Sequence, residues 1–75
     1  MAGTTFQRAF AREVRRTRTA LNLSQEELAD RAGLHRNYVG MIERSERSPT
    51  MVAAEGIARG LKIKLSELVA RAENR

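Results

Sequence analysis

Gly33 divides residues 25–44 into two short runs of helical spacing, and this one interruption restricts the chain more than any other feature of its sequence. Upstream of it, Ser24 and Glu27 carry the signature of a reciprocal helix start. The hydroxyl can accept from the Glu27 backbone N–H while the Glu27 carboxylate reaches back to the Ser24 N–H. Glu26 and Glu27 also sit at the positive end of the helix dipole. A helix over 25–32 follows, and it stops at Gly33, which is free to take the left-handed conformation that closes a helix. A second helix is expected over 36–44. Leu34 enters the core behind the turn, Val39 and Ile42 face inward, and Ala29 is small where the two helices must approach.

The rest of the chain keeps the same periodicity. Phe6, Phe10, Val14, Thr17 and Leu21 recur at three- and four-residue intervals and predict a helix over 5–21. Pro49 and Thr50 form a start signal for a helix over 51–60, with Thr50 as its cap. Leu65, Leu68, Val69 and Ala72 outline a fifth over 65–73. No stretch alternates as a strand does, so the expected fold class is all-α, a five-helix single domain over residues 1–75. A 75-residue chain has a marginal core and relies on close helix packing or a partner. It has no Cys and a single His, which excludes a disulfide staple, and no metal or cofactor is expected. His35, at a helix start, reads as a cap or packing residue. Ser24 has no paired base and Glu26, Glu27 and Asp30 read as a solvated helix face, so no catalytic residues are expected and the chain is not read as an enzyme. The apolar run Met51–Ala54 is far short of the roughly 20 residues that span a bilayer, and the arginines of the first twenty residues exclude a secretory apolar stretch. A cytoplasmic location is expected.

Charge narrows the partner. Lys and Arg number 14 against 9 Asp and Glu, a net +5, and twelve of the cations are arginine. Residues 1–20 hold five Arg and one acid, so most of the excess lies there. The planar guanidinium fork suits phosphate and guanine edges. A balance this basic fits nucleic acid first and an anionic membrane surface second, although a solvated cationic face produces the same totals. The capped helices and the inward Val39 and Ile42 argue against a membrane-surface peptide.

The arrangement decides between these. A helix, a glycine turn and a second helix form the helix-turn-helix unit, whose second helix lies in the DNA major groove. At about 100° per residue, Arg36, Gly40, Arg44, Asn37 and Met41 fall within one arc of roughly 140°, while Tyr38, Ile42, His35 and Val39 lie on the opposite side. On the outer arc Arg36 can bond guanine O6 and N7, Asn37 can bond adenine N6 and N7, and Met41 can touch a thymine methyl. Gly40 costs about 1 kcal/mol relative to Ala inside a helix, so on that arc it signals the close approach of another surface. Arg36, Asn37, Gly40 and Met41 are therefore the candidate base-contacting residues. The apolar Met51, Val52, Ile63, Leu65, Leu68 and Val69 exceed what one small core covers and predict a homodimer interface. Two-fold symmetry would then set half-sites about 34 Å apart in a near-palindrome.

The segments Leu23-Ser24-Gln25-Glu26-Glu27-Leu28-Ala29, Ala32-Gly33-Leu34, Tyr38-Val39, Ile42-Glu43-Arg44 and Arg47-Ser48-Pro49-Thr50 resemble the Cro/repressor-type helix-turn-helix regulators. The likeness continues through Ile57-Ala58 and Leu65-Ser66-Glu67-Leu68, over about residues 10–70. Leu34-His35-Arg36-Asn37-Tyr38-Val39-Gly40 with Glu43-Arg44 is similar to the small controller proteins of bacterial restriction–modification systems. The resemblance implies a phage-repressor-type fold and a dimeric transcription regulator that binds double-stranded DNA and blocks or recruits RNA polymerase. It further implies that Gln25, Tyr38, Arg44, Arg47 and Ser48 contact phosphates and that Arg18 and Glu43 form a structural ion pair. An antitoxin or phage-type repressor that also binds a partner protein shares the same unit. Three positions depart from the family pattern: Ser45 replaces a glycine, Gly60 and Lys62 reverse the usual Ala and Gly, and Lys64 replaces a capping hydroxyl.

Overall fold

Three of the chain's five helices start on a side-chain cap. The computed structural model describes residues 4–74, so residues 1–3 and 75 of the expected 1–75 domain lie outside the described residues. Helix α1 (Thr5–Ala20) begins where Thr4 Oγ1 accepts the Gln7 backbone N–H at 3.0 Å. Helix α2 (Gln25–Ala32) carries the full reciprocal cap: Ser24 Oγ accepts from Glu27 N–H at 3.0 Å, and Ser24 N–H donates to Glu27 Oε1 at 2.8 Å. The Ser24 backbone N–H, and after it the neighbouring Ser24 hydroxyl, hold the Glu27 carboxyl below the usual carboxylate range. Helix α4 (Met51–Gly60) repeats the device with Thr50 Oγ1 and Ala53 N–H at 3.0 Å. Helix α5 (Leu65–Glu73) starts at Lys64 with no side-chain cap.

Four helix exits share one geometry. Asn22, Gly33, Ser45 and Lys62 all have φ between 58° and 71°. The N–H of the next residue then bonds a carbonyl five positions back: Leu23 to Arg18, Leu34 to Ala29, Glu46 to Met41 and Ile63 to Ala58, at 2.9–3.2 Å. This is the six-to-one closure that satisfies orphan carbonyls at a helix end. Glycine meets the left-handed requirement without strain at one of the four exits only. Ser45 and Lys62, where the resembling family has glycine, still take the left-handed turn and bear its steric cost.

Helix α3 (Tyr38–Glu43) is shorter than the expected 36–44. His35 Nδ1 accepts the Asn37 backbone N–H at 3.3 Å and the His35 carbonyl accepts from Tyr38 at 2.9 Å, so residues 35–37 form a tight turn. Arg36 and Asn37 therefore stand at the lip of α3, not within it.

α1 lies against α5, α2 against α4, and α3 rests on both α1 and α2. Val14, Leu28, Val39, Ile42, Ile57, Leu61 and Leu68 are fully enclosed where these layers meet. On α1 the inner face is Ala9, Phe10, Glu13 and Val14, while Phe6 and Leu21 at its two ends remain exposed. Sixteen residues span about 24 Å and the nine of α5 about 14 Å, so α5 alone does not cover the whole length of α1. α4 approaches α2 through glycines. A Cβ at Gly56 would lie 2.7 Å from the Ala32 carbonyl oxygen, and one at Gly60 would lie 2.8 Å from Leu28 Cδ1. Backbone cannot yield as a leucine methyl can. Gly56→Ala should therefore destabilise the domain by about 1–3 kcal/mol despite its higher helix propensity, and Gly60→Ala by less, as read from urea denaturation midpoints.

Candidate nucleic-acid interface

Glu43, the last residue of α3, anchors the region. Its carboxylate accepts from Arg18 Nε at 2.7 Å and Arg18 Nη2 at 3.0 Å, and from Gln25 Nε2 at 3.0 Å. Arg18 Nη1 also donates to the Leu23 carbonyl at 2.7 Å. One acid thus ties α1, the α1–α2 turn and α2 to α3. The Glu43 side chain is 3% exposed and Arg18 12%. A fork-shaped, charge-assisted pair of this kind fixes direction as well as distance.

Above this anchor α3 presents two unlike sides. Val39 and Ile42 are sealed in the core, and Leu34 and Tyr38 are packed against it partly buried. Arg36 and Asn37 are exposed and Met41 is half-buried. Arg36 Nη1 lies 3.7 Å from Glu26 Oε2, with both side chains more than two-thirds exposed; such a pair is a loose tether. Asn37 makes no side-chain bond to the helix it precedes. Beyond α3, Arg44 Nε and Nη2 donate to Glu46 at 3.0 and 3.2 Å. That hydrogen bond holds the Glu46 carboxyl below its ordinary range and raises the Arg44 guanidinium above its own. Arg47 lies over the Tyr38 ring, 5.5 Å from its centroid, a cation–π contact that orients an otherwise free guanidinium. Ser48 is exposed in the same loop.

Gly40 requires a correction. It is buried, and a Cβ there would meet Gln25 Oε1 and Arg44 Nη1, each at 3.0 Å. The surface that approaches it belongs to its own chain, so Gly40 makes room for Gln25 and Arg44 and is covered by them in the free protein. Sequence reasoning also missed Glu26 and Glu46 as counter-ions of Arg36 and Arg44. Only the closeness of Glu46 to Arg44 in sequence offered a signal.

The expected self-association surface is mostly present as an open apolar face. Met51 and Val52 are 82% and 81% exposed. Ile63, Leu65 and Val69 are half-buried beside them. Leu68 is the exception: it is fully enclosed in the core and offers nothing to a partner. The face continues as a groove onto the start of α1 through Phe6 and Phe10.

Glu43→Ala should cost roughly 3–5 kcal/mol by stranding the largely enclosed Arg18 charge. The double change of Arg18 and Glu43 to Leu should cost much less, as measured by a denaturant double-mutant cycle.

The helix-turn-helix family matches residues 14–68 of the chain. The control protein C.SmaI of Serratia marcescens is 43% identical over 61 residues, which cover 81% of this chain and 73% of that protein. The crystal structure of the restriction-modification controller protein C.AhdI from Aeromonas hydrophila superposes with a TM-score of 0.79 at 42% identity, covering 83% of this chain and 94% of that one. The wild-type controller protein C.Esp1396I superposes with a TM-score of 0.84 over 97% of each chain; at 24% identity it speaks to the fold alone.

Proposed function

The chain belongs to the helix-turn-helix family, and we propose that it is a sequence-specific, double-stranded-DNA-binding transcription regulator of the restriction–modification controller type. The observation that carries this reading is the two-sidedness of α3. Val39 and Ile42 are sealed behind it, while Arg36, Asn37 and Met41 reach solvent with Arg44 and Arg47 beside them. Arg36 and Asn37 lie at the N-terminal lip of the recognition helix, the end that helix-turn-helix proteins turn toward base edges. Arg36 reads guanine, Asn37 adenine and Met41 a thymine methyl. Gln25, Tyr38, Arg44, Arg47 and Ser48 bind phosphates and set the register. On the duplex, phosphate oxygens take over the Arg44 fork that Glu46 occupies in the free protein.

The reading extends to a homodimer joined through Met51, Val52, Ile63, Leu65 and Val69. Its two-fold axis sets recognition helices on successive major grooves, about 34 Å apart, over a near-palindromic operator. The protein acts by position in the cytoplasm, blocking or recruiting RNA polymerase, and performs no catalysis itself.

Two measurements test these assignments. Arg36→Ala should lose about 1–3 kcal/mol of binding and relax preference at one base position, whereas Arg47→Ala should weaken all sequences alike and flatten the salt slope by about 1. Equal losses on every sequence for both changes would overturn the division of roles. Val52→Glu should sediment as a monomer at concentrations where the unaltered protein is dimeric, and an unchanged dimer would remove this face from the interface.

A further inference from the structure

We propose that α1 carries a second DNA-contacting ridge, in which Arg8, Arg12 and Arg15 engage the backbone phosphates flanking the half-site read by α3. This rests on the DNA-binding reading above and adds a surface to it. The three arginines recur at four- and three-residue spacing, which stacks them on one side of α1, and all three are exposed. With Ala11, Arg44 and Ser45 they line a groove of about 430 Å³ between α1 and the exit of α3. The one acid in that lining, Glu43, already accepts from Arg18 and Gln25.

Five of the described cations have an acidic partner, while Arg31, Arg47, Arg59, Lys62 and Lys64, like the row on α1, have none. Arg16 pairs with Glu13, Arg18 with Glu43, Arg36 with Glu26, Arg44 with Glu46 and Arg71 with Glu67. None of Arg8, Arg12 and Arg15 pairs with a described acid. Like charges at these spacings oppose helix formation by a few tenths of a kcal/mol each, a repulsion that a bound polyanion relieves. The row runs about 10 Å along α1, the axial length occupied by about three phosphates of one DNA strand. Arg44 belongs both to this groove and to the phosphate contacts of the reading surface, so a backbone held there continues into the row. That continuity favours DNA over an acidic protein segment.

The test compares the unaltered protein with a variant carrying Arg8→Gln, Arg12→Gln and Arg15→Gln on two duplexes. Both hold the tightest-binding sequence selected from a random pool. One ends at the outer edges of the half-sites and the other extends about 10 bp beyond each. On the extended duplex the variant should show a slope of log affinity against log salt shallower by about 2–3 per protomer, at about 0.9 per phosphate released. On the short duplex the two slopes should coincide, and base preference should be unchanged on both. Equal slopes on the extended duplex overturn the proposal, and so does the same loss on both duplexes. Equal slopes with weaker transcription by purified RNA polymerase overturn it in favour of an acidic protein partner. Failure of the unaltered protein to bind any duplex would instead remove the DNA-binding reading itself. Should the triple variant unfold, Arg12→Gln alone reads the same quantity, with an expected slope change of about 1.

Discussion

The carboxylate of Glu43 meets an arginine from α1 and an amide from α2, and the surface above it inherits its shape from that meeting. Helix α3 has six residues, too few to hold a helical conformation unaided in water. Its direction relative to α1 and α2 therefore comes from two sources: Val39 and Ile42 beneath it, and Glu43 at its end. Hydrophobic contact alone is tolerant of small rotations. A two-pronged guanidinium–carboxylate contact is not, and it sits at the opposite end of α3 from Arg36 and Asn37, where it fixes the angle at which the helix presents them. Enclosed ion pairs contribute little net stability after desolvation, so orientation is the more substantial contribution of this one.

The same economy governs the helix ends. All four connections close with a left-handed residue followed by a bond five residues back. This keeps the turns short and leaves few backbone groups to be satisfied by long loops. The longest of them is the loop from Ser45 to Thr50, which leaves α3 through that closure and then runs on into α4. It is also the loop that carries Arg47 and Ser48.

What could be read from the sequence follows from the range of each interaction. Ser24, Glu27, Gly33 and Thr50 act within three to five residues, so the starts of α2 and α4 and the turn between α2 and α3 were legible from spacing alone. A helical wheel places Arg36 and Asn37 in the third helix because it takes no account of a histidine ring accepting a backbone N–H, as His35 does. By spacing Gly40 looks open to an outside surface, because its cover comes from the far ends of Arg44 and of Gln25, the latter fifteen positions away on another helix. Leu68 and Val69 are neighbours of equal hydropathic character, and only the angle of α5 against α1 decides which is enclosed. The exposure of Phe6 and Leu21 likewise depends on how helices distant in sequence cover α1. Local chemistry was visible, and the covering of one helix by another was not.

The arginine and asparagine at the lip of α3 stand in a turn, exposed, with one weak tether between them and no share in the enclosed interior. Exchanging them for other side chains removes no buried contact and strands no charge, so the body of the domain barely registers the change. Address and architecture are thermodynamically separable here, and a lineage of such chains can drift from one target sequence to another through these two positions while its scaffold stays untouched.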